Sequence, residues 1–303
     1  MEGNAYHIPV LFHETIGQLN IKPEGIYVDC TFGGGGHGRG ILNKLNDRGR
    51  LIAFDQDEDA QKNIPEGEKR ISFIPQNFRY VKKFLRVNGI EAVDGLLADL
   101  GVSSHQFDEA ERGFSIRFDG PLDMRMDVRS DTTAKDILLN NDEKTLQNLF
   151  SKYGEVTNSK TLAKYITENR SAAALETVNG FKSLIAPMVK GNPNKYFAQV
   201  FQALRIEVNE EMKALEELLE QIPEVLKSGG RAAVITFHSL EDRMVKTFFK
   251  QGRWNVEDEH PLINSNFVNP LRLVTKKPIV PSNEEIKRNS RSRSSKLRVA
   301  EKI

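Results

Sequence analysis

The run Tyr27-Val28-Asp29-Cys30-Thr31-Phe32-Gly33-Gly34-Gly35-Gly36-His37-Gly38 restricts the fold of this chain more than any other segment. An apolar strand ends on a carboxylate, a glycine-rich turn follows, and a helix-forming stretch from Arg39 to Leu45 comes next. Glycine has no Cβ, so its backbone N–H groups approach a ligand closely and its φ takes positive values. The run therefore reads as the first β–loop–α unit of a nucleotide-type cofactor site. Asp55 extends the pattern, because it closes the next apolar strand, Leu51-Ile52-Ala53-Phe54. A carboxylate roughly 20 residues beyond such a turn is placed to accept hydrogen bonds from ribose hydroxyls.

Strand-like runs recur with helical segments between them: Ile26 to Cys30, Leu51 to Phe54, Ile71 to Pro75, Val93 to Leu100 and Arg231 to Phe237. This alternation predicts a mostly parallel sheet covered on both faces, completed by strands around Leu271 to Val274 and Lys296 to Ala300. From about Phe107 to Val208 the strand pattern stops and helical periodicity takes over. Asp142 caps a helix to Tyr153, Asn158 or Ser159 starts one through Asn169, and Pro187 interrupts Val178 to Val189. Pro193 opens a longer helix whose stripe Phe197, Val200, Phe201, Leu204 and Val208 is expected to pack between this insert and the sheet. Its other face carries Gln202, Arg205 and Asn209, which read equally as functional or structural. A Glu- and Leu-rich helix from about Glu210 to Val225 should cover the sheet, with Gly229-Gly230 ending it. A length of 303 residues suits one domain plus an insertion. The expected fold is α/β, a Rossmann-like sheet from residues 1–106 and 210–303 with an inserted all-helical domain at 107–209.

Two cofactor classes fit the glycine turn. Gly33, Gly35 and Gly38 satisfy the dinucleotide pattern G-x-G-x-x-G, which keeps a nicotinamide or flavin enzyme open. Asp29 argues for S-adenosyl-L-methionine (AdoMet), since an anion there opposes a pyrophosphate but suits a cationic amino-acid end. Thr31, Phe32 and His37 also make the loop bulkier than a typical pyrophosphate cradle. AdoMet is the expected cofactor.

Ligands of parallel α/β sheets lie beyond the carboxyl ends of the strands, so each strand can be asked what it delivers there. After the third comes Phe78, equally suited to an adenine face or to the core. The fourth ends in Asp99-Leu100-Gly101-Val102-Ser103-Ser104, the fifth in Phe237-His238-Ser239-Leu240-Glu241-Asp242-Arg243. Asp99 is the leading candidate for a role beside a transferred methyl group. A carboxylate accepting the N–H bonds of an exocyclic base amine localises its lone pair and stabilises the positive charge that develops during attack. A helix cap and a bond to the cofactor's ammonium group remain open for Asp99. His238 suits substrate orientation or proton relay, or simply a structural hydrogen bond. The Gly-, Pro- and charge-dense segment Arg112 to Asp127 reads as a lid or as a hydrated turn between domains.

The formal charge of +1 implies neither a polyanionic nor a polycationic partner, but its distribution is uneven. From Lys276 onward Lys276, Lys277, Lys287, Arg288, Arg291, Arg293, Lys296, Arg298 and Lys302 face only Glu284, Glu285 and Glu301, and the serines among the arginines suit phosphate contacts. A solvated or disordered tail is the alternative. Cys30 is the single cysteine, so no intramolecular disulfide forms and a reducing compartment fits. The histidines His7, His13, His37, His105, His238 and His260 are scattered, and no metal site is expected. With no leader-like N-terminus and no apolar run near the roughly 20 residues that span a bilayer, a cytoplasmic protein without membrane contact is expected.

Taken together, these motifs resemble the small-subunit ribosomal RNA cytosine-N4 methyltransferase family, known as RsmH or MraW. The likeness runs through His7 with Val10-Leu11, Tyr27 to Gly38, Asp55, Asp99 to Ser104, Glu111 to Ser115, Asp119 to Asp127, Phe201 to Ile206, Phe237 to Val245 and Ser294 to Arg298. The resemblance implies AdoMet-dependent methylation of a cytosine amine in the decoding centre, with small-subunit RNA, in an assembled or nearly assembled subunit, as partner. It also implies that Gly35, Gly36, His37, Asp55, Phe78, Asp99 and Gln106 contact AdoMet and that the helical insert recognises substrate. Two departures stand out. Leu100-Gly101-Val102 replaces the proline-proline-aromatic motif common in DNA amino-methyltransferases, and Asn289-Ser290-Arg291-Ser292-Arg293 replaces an expected proline and alanine. A dehydrogenase and a non-catalytic RNA-binding protein remain the competing classes, and the sequence leaves a homodimer open.

Overall fold

The computed structural model describes residues 9–254 and 267–303, so His7 and His260 lie outside the described residues. Seven strands form one sheet: β1 (Ile26–Asp29), β2 (Arg50–Phe54), β3 (Ile71–Ile74), β4 (Val93–Asp99), β5 (Leu226–Thr236), β6 (Leu271–Leu273) and β7 (Lys296–Lys302). Their order is β3-β2-β1-β4-β5-β7-β6. Strands β1 to β5 run parallel, and β7 lies antiparallel between β5 and β6. The chain winds outward from β1 to β3 and then crosses back to β4 on the other side of β1. Such a reversal opens a crevice at the carboxyl ends of the central strands.

Alternation along each strand divides the core. Tyr27, Leu51, Leu97, Ala233 and Ile235 pack with Leu11, Leu19, Ile41 and Leu42 from the helices Phe12–Gln18 and Gly36–Leu42 and their ends. Val28, Ile52, Leu96, Ala98, Ala232 and Val234 pack on the opposite face with Leu85, Val245, Phe248 and the stripe Leu215, Leu218, Leu219 and Ile222. That stripe recurs at three- and four-residue spacing along the helix Glu211–Val225, which gives it one apolar face for the sheet. The helix does not run on to Gly229-Gly230. It passes straight into β5 at Leu226, and both glycines lie inside that strand where pairing jumps from Val93–Leu226 to Gly95–Arg231. A φ of 75° at Gly229 lets the extra residues bulge out. The first helix after the glycine turn likewise starts earlier than expected, spanning Gly36–Leu42.

The chain divides into two compact units, residues 1–101 with 213–303, and residues 102–212. The junctions fall a few residues outside those expected. The second unit contains the helices Ser104–Asp108, Ala134–Asn140, Glu143–Lys152, Ser159–Asn169, Val178–Ile185 and Pro193–Val208. Asp142, Thr177 and Asn192 cap three of them by accepting the backbone N–H of Thr145, Gly180 and Lys195. Pro187 falls in a 3-10 turn, Ala186–Met188, just after the helix that it ends.

Two expectations do not hold, and one open reading is resolved. The stripe Val200, Phe201, Leu204 and Val208 belongs to the helical unit's own core, with Leu146, Phe150, Leu162, Ile166 and Phe181. The polar face is structural: Gln202 donates to the Tyr153 carbonyl, Arg205 pairs with both oxygens of Glu211, and Asn209 bonds the Met126 N–H and the Met124 carbonyl. The segment Arg112 to Asp127 is built into the same core rather than forming a lid or a hydrated turn. Phe114, Leu122, Met124 and Met126 are buried in it, and Arg112 ties the Arg125 and Met126 carbonyls. Among the described residues no helix is long and apolar enough to cross a membrane.

Candidate active site

The register brings the strand-end residues to one edge. Asp29 is level with Ala53 of β2 and Leu97 of β4, and Asp99 is level with Ile235 of β5. Asp29, Asp55, Asp99 and His238 therefore all emerge at the carboxyl edge of the sheet. No Lys or Arg pairs with Asp29 or Asp99 among the described residues.

Asp29 lies buried beneath the glycine turn. One oxygen accepts the Thr31 N–H at 3.1 Å, while Oδ2 has no partner. Burial raises its pKa to about 7, against the Thr31 hydrogen bond and with help from the Asp55 charge. Asp99 is anchored through its backbone, whose N–H donates to Thr31 Oγ1 at 2.7 Å, and its Oδ1 is also orphaned. Burial first, then the charges of Asp29 and Glu241, hold the Asp99 carboxyl well above the usual range. Orphaned buried carboxylate oxygens are costly unless a ligand supplies donors or positive charge.

Asp55 shapes the turn itself. Its oxygens accept the Gly33 N–H at 2.7 Å and the Asp57 N–H at 2.9 Å. Arg39 and Asn63 clamp the other side, donating to the Gly34 and Gly33 carbonyls. The glycines differ in what they require. A Cβ on Gly35 would meet Arg39, Phe32 and Asn63 at a φ of 71°, and one on Gly36 would fall 2.2 Å from Pro9 Cγ. Gly34 has open space where its Cβ would stand, so packing gives no reason for a glycine there. It is exposed, and its backbone is bare to solvent.

His37 is buried under the turn, with Nε2 3.1 Å from the Val10 carbonyl and Nδ1 3.5 Å from Asp99 Oδ2. Burial lowers its pKa to about 4, outweighing the Val10 hydrogen bond. Phe78 is half-buried after β3 and packs against the central core. His238 caps the helix Ser239–Gln251: its Nδ1 accepts the Glu241 N–H, which leaves the proton on a buried Nε2 that lies close to Glu241 but outside hydrogen-bond geometry. Gln106 lies in the helical unit, where its Oε1 accepts the Ser103 N–H and completes a capping box. That box, not Asp99, caps the helix after β4.

Glu241 is the residue that strand-end reasoning passes over. It is 2% exposed, accepts the Phe237 and His238 N–H groups, and places Oε1 3.2 Å from His238 Nε2. Its signal in the sequence was helix-cap spacing, which disguised a further carboxylate of the same site.

The basic segment before β7 is ordered: a helix Asn283–Arg288, a 3-10 turn Ser290–Ser294, then the strand. Two of its serines are taken up by the fold, while Ser290 and Ser294 stay exposed. Ser292 and Ser295 are buried and bond the Asn289 and Ser292 carbonyls, while Lys296 and Arg298 pair with Asp242.

The sequence model of the MraW methylase family matches residues 4–303. Proteins named ribosomal RNA small subunit methyltransferase H are similar over almost their whole length. That of Bacteroides fragilis is 52% identical over 303 residues, covering 99% of each chain. That of Cytophaga hutchinsonii is 52% identical over 305 residues, covering 98% of this chain and 99% of its own. Among solved structures, an rRNA methylase from Streptococcus thermophilus aligns with a TM-score of 0.43 at 12% identity, covering 100% of this chain and 99% of that one.

Proposed function

The chain belongs to the MraW methylase family, and from that premise we propose that it carries a methyl group from AdoMet to the N4 amine of a decoding-centre cytosine in small-subunit ribosomal RNA. The observation that carries the cofactor reading is the set of orphaned oxygens, Asp29 Oδ2 and Asp99 Oδ1, at the carboxyl edge of the sheet. Their field attracts a sulfonium and an ammonium group and repels the pyrophosphate of a dinucleotide. Asp29 acts from beneath the turn, Asp55 is the acceptor for the ribose, and Gly34 lets the backbone approach. Gly35, Gly36 and His37 hold the turn in shape, and Phe78 and Gln106 are assigned to the same ligand on the family resemblance.

The bound donor supplies an electrophilic methyl carbon; the protein supplies placement and charge. A cytosine amine is a poor nucleophile because its lone pair is delocalised into the ring. Asp99 would accept an amine N–H, localising that lone pair and stabilising the charge formed on attack. His238, with its proton on Nε2, would donate to the base and fix its orientation. Titration calorimetry with AdoMet and with NAD tests the reading. AdoMet should bind and NAD should not; the reverse would restore the dehydrogenase alternative.

A further inference from the structure

We infer that the exposed basic ridge Lys287, Arg288, Arg291 and Arg293 is the rim of the acidic carboxyl edge of the sheet, where the phosphates of the RNA strand dock beside the target base. This rests on the RNA methyltransferase reading above and assigns the surface that holds the substrate.

Position comes first. β7 pairs antiparallel with β5, its first residue Lys296 opposite Thr236 at that strand's end. The ridge immediately precedes Lys296, so the topology delivers it to the carboxyl edge that carries Asp29, Asp99 and His238. Short contacts connect the two. Glu285 Oε1 accepts the Leu11 N–H at 2.8 Å, the neighbouring Val10 carbonyl bonds His37, and His37 faces Asp99. On the other side, Lys296 and Arg298 hold Asp242 on the helix that His238 caps.

The ridge is also preformed. Ser282 caps the helix Asn283–Arg288, Asn289 Oδ1 accepts the Arg291 N–H, and the buried Ser292 and Ser295 hydroxyls fix the turn that follows. The backbone thus presents its cations without an ordering cost at binding. Charge then decides the partner. The carboxyl edge of the sheet holds Asp29, Asp55, Asp99 and Glu241, a set that suits a cationic donor but repels every phosphate flanking the target nucleotide. Lys287, Arg288, Arg291 and Arg293 are all exposed, whereas Glu285 is engaged with Leu11, leaving Glu284 as the exposed acid of the helix. An acidic edge with a basic rim matches a neutral base inserted between two phosphates.

The test compares two triple variants of the full chain that remove equal charge. One is Arg288→Gln, Arg291→Gln and Arg293→Gln. The other is Lys44→Gln, Arg48→Gln and Arg50→Gln near the amino edge of the sheet. Binding to naked small-subunit RNA is measured across salt concentrations. The rim triple should flatten the slope of log K against log salt by about 2, at roughly 0.7 per lost phosphate contact, and weaken binding about tenfold or more. The other triple should leave the slope nearly unchanged, and AdoMet binding should survive in both. Arg293→Gln alone, a milder change at an exposed side chain, should flatten the slope by about 0.7. An unaltered slope in the rim variants, or equal flattening by the opposite-edge triple, overturns the inference. If wild-type protein binds RNA but transfers no methyl group, the functional reading fails, while the comparison of slopes still judges the rim.

Discussion

His37 offers Asp99 a lone pair rather than a proton. The Val10 carbonyl only accepts, so the His37 Nε2 beside it at 3.1 Å carries the hydrogen, and the bare Nδ1 faces Asp99 Oδ2 at 3.5 Å. Burial keeps the ring neutral, with a pKa of about 4. Two acceptors that close repel each other unless a proton lies on Asp99 or a donor arrives from a ligand. Burial and the neighbouring carboxylates favour that proton on Asp99, so a carboxyl faces the bare Nδ1 in the free site.

Asp99→Asn should separate chemistry from stability. The amide gives His37 a donor and removes the ionised form that burial, Asp29 and Glu241 oppose, so the thermal midpoint should hold or rise. Single-turnover methyl transfer should fall by about 10²-fold or more. A parallel loss of both would make Asp99 a structural residue.

The raised pKa of Asp29 fixes a direction for pH. The folded chain keeps a proton until about pH 7 that an unfolded aspartate releases near 4. Its contribution to stability is therefore complete below pH 4 and is lost as pH rises through 7, about 4 kcal/mol at most. AdoMet should reverse the trend, because a cation favours the carboxylate: affinity should rise with pH to about 7 and then level, with proton release. Urea titrations and calorimetry at pH 5 and 8 measure both effects. Asp29→Asn should abolish them; a variant with the wild-type pH dependence would assign the titration elsewhere.

The glycine turn yields a paired prediction. Gly34→Ala places its methyl in open space and should leave the thermal midpoint within a degree or two, yet weaken AdoMet binding. Gly36→Ala drives a methyl against Pro9 and should destabilise the fold by about 1–3 kcal/mol. Equal AdoMet affinity in Gly34→Ala and wild type would remove that glycine from the site.

What the sequence disclosed follows from locality. Asp29, Asp55 and Asp99 each end an apolar run, so periodicity alone locates them at strand tips, and the sheet carries them to one edge. Contacts between distant segments leave no such trace. Nothing near Gly36 announces Pro9, nothing near Asn209 announces Met124 and Met126, and nothing marks Glu241 as more than a residue in the first turn of a helix. Ser292 and Ser295 of the basic segment hide their role for the same reason, since their partners are carbonyls made available by a turn.

Asn209 gives the helical unit its own test. It bridges the Met126 N–H, the Met124 carbonyl and the Arg205 carbonyl. Asn209→Ala strands at least one half-buried backbone group and should cost about 1–3 kcal/mol in urea unfolding. AdoMet affinity of the folded fraction should be unchanged; a selective loss of affinity without destabilisation would contradict the structural role.

The most direct measurement supplies labelled AdoMet and the purified protein to naked small-subunit RNA and to assembled subunits lacking the modification, followed by nucleoside mass spectrometry. The expected product is N4-methylated cytidine from one decoding-centre position, formed faster on the assembled subunit. Label on another base or another atom, or none on either substrate, would contradict the assignment.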